Sequence, residues 1–185
     1  MSLTKIQREA IVGMILGDAY LQQTGKYNAR LRLEHSVKQK EYIIWKHQVL
    51  KNYMQSKPKL IKNYNPVWKK TYSYYRCQSY SSPEFGKYRR LFYQDNRKII
   101  PENIASILKS PLSLAVWYMD NGYYDSRDKI AHLYLNNASQ ENMQKLLECL
   151  NENFGLSPKC IIKKKLPVIY FDSANVKTLV KLVKA

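Results

Sequence analysis

Two polar residues, Asp18 and Asn121, close two similar apolar stretches. Residues 11–19 read Ile-Val-Gly-Met-Ile-Leu-Gly-Asp-Ala, and residues 114–122 read Leu-Ala-Val-Trp-Tyr-Met-Asp-Asn-Gly. A carboxylate such as Asp18 is a hard oxygen ligand. Two carboxylates brought together repel unless a cation lies between them, and with phosphate oxygens they can hold Mg²⁺. Asn121 is neutral and offers a cation only its amide oxygen. Asp120 is one residue earlier, and a step of about 100° along a helix turns its side chain away from that position. His35, His47 and His132 are too scattered to form a ligand cluster and read as groove or surface residues. There is no phosphate-cradling glycine loop and no Cys/His zinc spacing.

The elements that must deliver these ends follow from pattern. Residues 4–17 predict a helix capped by Thr4, with Gly13 and Gly17 four apart on one stripped face. Glycine inside a helix costs about 1 kcal/mol relative to alanine, so close approach of another backbone is the expected reason for keeping both. Pro111 opens the second apolar helix, through Met119, with Ala115 as its small packing residue. Strands are expected at 20–23 and 28–35, with Ala29, Leu31 and Leu33 facing inward and Arg30, Arg32 and Glu34 outward. Ser36 then caps a helix to about residue 53, with Tyr42, Trp45, Val49 and Tyr53 inward. A hairpin at 60–64 and 71–79 and a helix at 82–93 complete this part. A basic connector covers 95–101, and a short helical piece 102–108. After the second apolar helix come strands at 123–125 and 129–136. Ala131, Leu133 and Leu135 share one face there, His132, Tyr134 and Asn136 the other. A helix capped by Ser139 and ended by Gly155, a hairpin at 160–164 and 168–171, and a last helix from 173 follow.

Written this way, the chain repeats itself. Asp18 and Asn121 are offset by 103 residues, the strands at Ala29 and Ala131 by 102, and Pro58-Lys59 and Pro158-Lys159 by 100. Each copy is helix, hairpin, helix, hairpin, helix. The expected fold is α+β: two pseudo-twofold αββαββα repeats, with saddle-shaped antiparallel sheets on one side of two central helices. The expected boundaries are 1–95, a connector at 96–110, and a second repeat at 111–185 that is cut short at its end.

The charge balance names the class of partner. Thirty-one Lys/Arg against 14 Asp/Glu give +17, which calls for a polyanion, either nucleic acid or an anionic membrane surface. The excess is concentrated in residues 1–100. No apolar run approaches the ~20 residues of a membrane span. Three cysteines without metal spacing read as reduced thiols of an intracellular protein. Duplex DNA matches both the charge and the pseudo-twofold shape, because its major groove admits a two-stranded ribbon. On the first repeat Arg30, Arg32 and Arg76 suit guanine and Gln78 adenine, while Tyr72 and Tyr74 stack or touch phosphate. Lys38, Lys40, Lys69 and Lys70 suit phosphates. On the second, Lys129, His132, Tyr134, Lys163 and Lys165 take corresponding places. An unrelated basic RNA-binding protein shares the charge but not the repeated helix ends.

The two helix ends resemble the signature helices of LAGLIDADG homing endonucleases, in the single-chain form with two motifs. Residues 15–20, 98–103, 111–120 and 169–173 are similar to the group I intron-encoded branch, so the resemblance spans nearly the whole chain. It implies a monomer that cleaves both strands of a long DNA target. One acid from each signature helix would act with Mg²⁺ or another divalent cation such as Mn²⁺ or Ca²⁺. The first acid falls on Asp18 and the second on Asn121, with Ala19 and Gly122 beside them at the metal. Lys98 matches a basic residue near that centre, and its counterpart would fall near position 189, past Ala185. The departure at Asn121 implies impaired cleavage with DNA binding kept. A non-cleaving DNA-binding member and an intron maturase that binds RNA remain as alternatives.

Overall fold

The computed structural model describes residues 2–135 and 139–184. Its elements run α1 (Lys5–Leu16), β1 (Tyr20–Gln23), β2 (Ala29–Ser36), α2 (Lys40–Val49), β3 (Lys59–Asn65), β4 (Lys70–Gln78) and α3 (Pro83–Phe92). A small ribbon, β5 (Tyr93–Gln94) and β6 (Arg97–Lys98), and a short helix, α4 (Ile104–Ile107), lead to the second set. That set is α5 (Pro111–Asn121), β7 (Gly122–Asp125), β8 (Ile130–Tyr134), α6 (Gln140–Phe154), β9 (Lys159–Lys163), β10 (Leu166–Phe171) and α7 (Ser173–Lys184). Both sets are αββαββα. Each forms a four-stranded antiparallel sheet, in the orders β1-β2-β4-β3 and β7-β8-β10-β9.

By packing, the chain divides into two units. One comprises residues 1–7 and 18–91; the other comprises 8–17 and 92–185, so most of α1 packs with the second set of elements. In the first unit, β2 alternates as its sequence requires: Ala29, Leu31 and Leu33 are buried, with Arg30, Arg32 and Glu34 between them half-buried. Leu21, Ile43, Leu50, Cys77 and Phe85 complete that core. In the second, Trp117, Leu133, Leu146, Leu150, Ile169 and Phe171 are fully buried.

Helix ends follow local chemistry. Thr4 and Gln7 form a reciprocal capping box, Thr4 Oγ1 accepting from Gln7 N (3.3 Å) and Gln7 Oε1 from Thr4 N (3.0 Å). Ser110 and Ser139 accept from the backbone two and three residues on, and Gly155 takes the left-handed C-cap at φ 62°. Ser36 does not cap α2. It is still paired with Tyr74 in the ladder, and a 3₁₀ turn at Val37–Gln39 separates it from the helix. The buried face of α2 is also not the expected one. Ile43, Lys46 and Leu50 are buried, while Tyr42, Trp45 and Val49 are half-exposed. The connector holds the β5–β6 ribbon instead of irregular chain. Asp95 and Asn96, both at positive φ (46° and 63°), form the tight turn that reverses it. Asn136 lies outside the described residues.

Candidate nucleic-acid interface and helix-end site

The two signature helices meet along a stripe of α5. A side chain on Gly13 would come within 2.4 Å of the Ser113 carbonyl oxygen and 2.7 Å of Val116 Cβ. One on Gly17 would meet Asp120 Oδ2 at 2.2 Å. Ser113 Oγ also donates across the seam to the Glu9 carbonyl (2.7 Å). Residues 113, 116 and 120 follow the three–four spacing of one helix face. Ala115 is about 200° from Ser113 around α5 and is half-buried, so the residues that meet both glycines are Ser113, Val116 and Asp120. Asp120 does turn away from the Asn121 direction, and what it turns toward is the end of α1. Its carboxyl group fills the space that a side chain on Gly17 would need.

Asp18 directly follows Gly17 and is exposed; Ala19 is buried. Asn121 ends α5 and is half-buried, and Gly122 caps the helix with extended backbone. A side chain on Gly122 would meet the Tyr118 carbonyl oxygen at 2.3 Å and the Tyr118 ring at 2.7 Å. Burial, then the nearby Tyr124, pushes the Tyr118 hydroxyl up to about 12. The β5–β6 ribbon brings Lys98 Nζ to 2.9 Å from the Gly17 carbonyl oxygen. This places an ammonium at the C-terminal end of α1, where the helix dipole is negative, one residue from Asp18. Among the described residues no group of three or more His, Cys, Asp or Glu could hold a metal. Asp18 offers a carboxylate and Asn121 an amide oxygen, both hard donors of the kind taken by Mg²⁺, which keeps several waters and accepts phosphate oxygens alongside one or two carboxylates.

The outward face of the first sheet is assembled by register. Arg32 lies opposite Tyr20 on one side and Gln78 on the other, and Glu34 opposite Arg76. Arg76, Tyr74 and Tyr72 lie opposite Lys59, Ile61 and Asn63. Arg30, Arg32, Tyr72, Tyr74, Arg76 and Gln78 therefore share one face. Arg76 Nε donates to Glu34 Oε1 at 2.7 Å, and its guanidinium lies 5.3 Å from the Tyr74 ring centroid. Arg32 donates to Gln22 Oε1 (3.1 Å), and Gln78 to Gln55 Oε1 (3.1 Å). The Nε atoms of Arg30 and Arg32 are buried without a partner. Tyr20, Gln22, Lys59, Ile61 and Asn63 join this face and were missed in the sequence. Alternation gives a strand's faces, but only cross-strand register says which faces coincide. Lys38 and Lys40 lie off the strands at the start of α2, and Lys69 and Lys70 at the β3–β4 turn.

The second sheet presents aromatics. His132 sits among Tyr123, Tyr134 and Tyr170, with ring centroids 6.1, 6.2 and 5.6 Å away. Lys163 Nζ lies 5.8 Å from the Tyr123 centroid and 6.0 Å from that of Tyr134. His132 is only 5% exposed, and burial, then Lys163, lowers its pKa. Its Nδ1 is buried without a partner. A groove lined by Tyr123, Asp125, Ile130, His132 and Lys163 runs over this face. Lys129 and Lys165 are exposed at its turns, both at positive φ.

His35 is neither a groove nor a surface residue. It is 4% exposed, on the inward face of β2. Lys46, fully buried on α2, holds its Nζ 2.9 Å from His35 Nε2 and 4.4 Å from the Tyr42 ring centroid. Burial, and after it Lys46, lowers the His35 pKa to about 4 despite the opposing field of Asp18. Cys77 and Cys149 are buried thiols, pushed up by that burial to about 12 and about 11. Such thiols are inert. Cys160 is free and exposed. No helix among the described residues is long and apolar enough to cross a membrane.

Known proteins share this arrangement. The profile of the LAGLIDADG DNA endonuclease family matches residues 8–179. A probable intron-encoded endonuclease 1 of Wickerhamomyces canadensis is 30% identical over 187 residues, covering 98% of this chain and 80% of that protein. The homing endonuclease I-WcaI, solved bound to its DNA recognition sequence, superposes with a TM-score of 0.91 at 27% identity. That match covers 100% of this chain and 83% of that one. I-DmoI, solved in complex with DNA and Ca, shares the fold with a TM-score of 0.56 at 13% identity, covering 98% of this chain and 91% of that one.

Proposed function

Because the chain belongs to the LAGLIDADG DNA endonuclease family, we propose that it is a monomeric, sequence-specific binder of duplex DNA. Its helix ends are those of a metal-dependent phosphodiester hydrolase weakened by Asn121. The observation that carries this is the seam of α1 against α5, where Gly13 and Gly17 admit Ser113, Val116 and Asp120 so closely that a side chain at either glycine would force a neighbour to shift. A helix pair gains nothing in general stability from two interior glycines. Bringing the two helix ends together is what they achieve.

Each residue has a role that its chemistry allows. Asp18 is the acid contributed by α1 and Asn121 its neutral counterpart on α5; with Ala19 and Gly122 beside them, these would hold Mg²⁺, Mn²⁺ or Ca²⁺. When bound, such a cation would supply an activated water and stabilise the leaving oxygen. Lys98 neutralises the end of α1 and offers an ammonium to a scissile phosphate. Arg30, Arg32, Arg76 and Gln78 read base edges from the first sheet. Tyr123 and Tyr134 pack against bases or sugars from the second, supported from beneath by the His132 ring, which at 5% exposure does not reach the duplex itself. Lys38, Lys40, Lys69, Lys70, Lys129 and Lys165 neutralise phosphates. The two αββαββα repeats are residues 1–95 and 111–185, joined by 96–110, and the cellular setting is intracellular.

Asn121 removes one negative charge from the metal's surroundings. That weakens metal binding and cleavage far more than DNA binding, which rests on the strands. The test starts from duplexes selected for binding out of a random library. The best is then offered to the protein and to Asn121→Asp in Mg²⁺. Restored double-strand cleavage by the variant, with affinity unchanged, is the expected result. A bound duplex that Asn121→Asp leaves intact overturns the hydrolase reading. No selectable duplex at all overturns the DNA reading.

A further inference from the structure

The major-groove edge of a purine carries two hydrogen-bonding groups. The side chains that grip both are arginine or lysine on guanine and asparagine or glutamine on adenine. The outward face of the first sheet has Arg30, Arg32 and Arg76, with Gln22, Gln78 and Asn63 beside them. Strands β7–β10 contain no arginine, asparagine or glutamine. Their one acid, Asp125, is already engaged. Its Oδ1 accepts from the backbone N–H groups of Arg127 (3.0 Å) and Asp128 (3.3 Å) in its own turn. The outward cations of β9 are Lys159 and Lys163, opposite Tyr170 and Leu166. Lys163 lies over the rings of Tyr123 and Tyr134, and an ammonium is a point charge that takes phosphate and base oxygens alike.

What the second face offers instead is apolar surface. Register sets Tyr123, His132 and Tyr170 in one row across β7, β8 and β10. The next row is Tyr134, Val168 and Ile161 across β8, β10 and β9. Val168 shares that outward face yet is fully buried, so the face has enough apolar bulk to keep water off one of its own side chains. Tyr123 and Leu166 are exposed, Tyr134 is 36% exposed, and Ile130 is half-buried. These four line one groove. In the major groove the apolar group that a base presents is the C5-methyl of thymine. A face without two-pronged side chains, but with an apolar groove, can recognise thymine by that methyl.

We propose that the second sheet reads thymine: Tyr123, Ile130, Tyr134 and Leu166 receive the C5-methyl groups of an A·T-rich half-site, while the first sheet takes a half-site containing guanine. This rests on the DNA-binding reading above and assigns a base composition to each half of the target.

The half-site is located first. Cys160 is the exposed thiol, on β9, and is labelled with an iron chelate that cuts nearby DNA; the buried Cys77 and Cys149 stay unlabelled. On the library-selected duplex the cuts are expected in a half rich in A·T pairs. Each thymine of that half is then replaced by deoxyuridine, which removes the methyl and keeps every hydrogen bond. Affinity is expected to fall about fourfold for each methyl in contact, the worth of one buried methyl group. At least one replacement is expected to lose its effect in Tyr134→Ala or Ile130→Ala, which already lack that contact. Cuts in a G·C-rich half, or deoxyuridine tolerated throughout the A·T-rich one, overturn the thymine reading and leave duplex binding intact. Deoxyuridine losses that persist in full in both variants put the methyls elsewhere and overturn it as well. Failure to select any duplex overturns the DNA-binding reading itself.

Discussion

The two repeats share strand order and element sequence yet differ at each place where chemistry is expected. The first ends its signature helix in Asp18, the second in Asn121. The outward face of the first sheet sets Arg30, Arg32 and Arg76 among its tyrosines and glutamines, whereas that of the second is tyrosine and histidine around Lys163. The helix between the hairpins differs too. In the first repeat α2 buries Lys46 against His35, whereas α6 buries Met143, Leu146, Cys149 and Leu150. Duplication preserved what packing requires and released the positions that packing does not fix. Backbone geometry and core volume are shared demands. The charge at a helix end is not.

The largest expected effect tests the helix ends. Asn121→Asp should raise the Mg²⁺-dependent cleavage rate on the order of a hundredfold or more, because it returns a full charge to a cation's surroundings. Asp18→Asn in that background should return the rate to the starting level. Single-turnover assays on the selected duplex measure both. If the two substitutions act independently, the ends do not serve one metal centre.

The seam comes next. Gly13→Val must displace the Ser113 carbonyl, a backbone atom that cannot swing aside, and should cost about 3 kcal/mol or more by overpacking. Gly17→Ala meets only the side chain of Asp120. The double change Gly17→Ala with Asp120→Ala should recover most of its loss. Urea denaturation reads both. Equal costs for the two glycines would mean that the seam does not discriminate backbone from side chain.

The α2–α6 contrast predicts where acid sensitivity lies. The folded-state pKa of His35 is about 4, below its ordinary 6.5. Between those values the unfolded chain binds the proton more readily, so stability is full above about pH 6.5 and falls as pH drops toward 4. The loss amounts to at most about 3 kcal/mol. His35→Gln should flatten the melting temperature between pH 7 and pH 4.5. If the slope persists unchanged, the sensitivity comes from elsewhere.

Much of this fold is legible in the sequence. The 100–103 residue offsets gave the duplicated αββαββα plan, because repeats must bury the same faces. The caps at Thr4 and Ser139, the Pro111 start and the Gly155 stop act within a few residues and can be read locally. What failed was long-range. Tyr42, Trp45 and Val49 read as the inward face of α2 because they are apolar, yet Lys46 is buried there, accepted by His35 of β2 and by the ring of Tyr42 one turn earlier on the same helix. Asp120 could be excluded from the Asn121 direction by helical phase. That it fills the space over Gly17 depends on how two helices cross. Tyr20, opposite Arg32, and Lys59, opposite Arg76, join the outward face only through cross-strand register.

The smallest effect separates the two sheets. If the first face binds by charge and the second by ring contacts, their mutants should differ in salt dependence more than in affinity. Arg76→Ala should weaken binding by about 1–3 kcal/mol. If the guanidinium meets phosphate as well as a base, the slope of log K against log salt should fall by roughly one. Removing Arg76 also leaves Glu34 unpaired on an anion-binding face, so Arg76→Ala with Glu34→Gln should bind better than Arg76→Ala alone. Tyr134→Ala should cost about 1 kcal/mol through lost stacking and leave the slope unchanged, since it removes no cation. Parallel slopes for the Arg76 and Tyr134 variants would mean that the two faces bind alike, and that the change from arginine to tyrosine between repeats altered which bases are read without altering how the duplex is held.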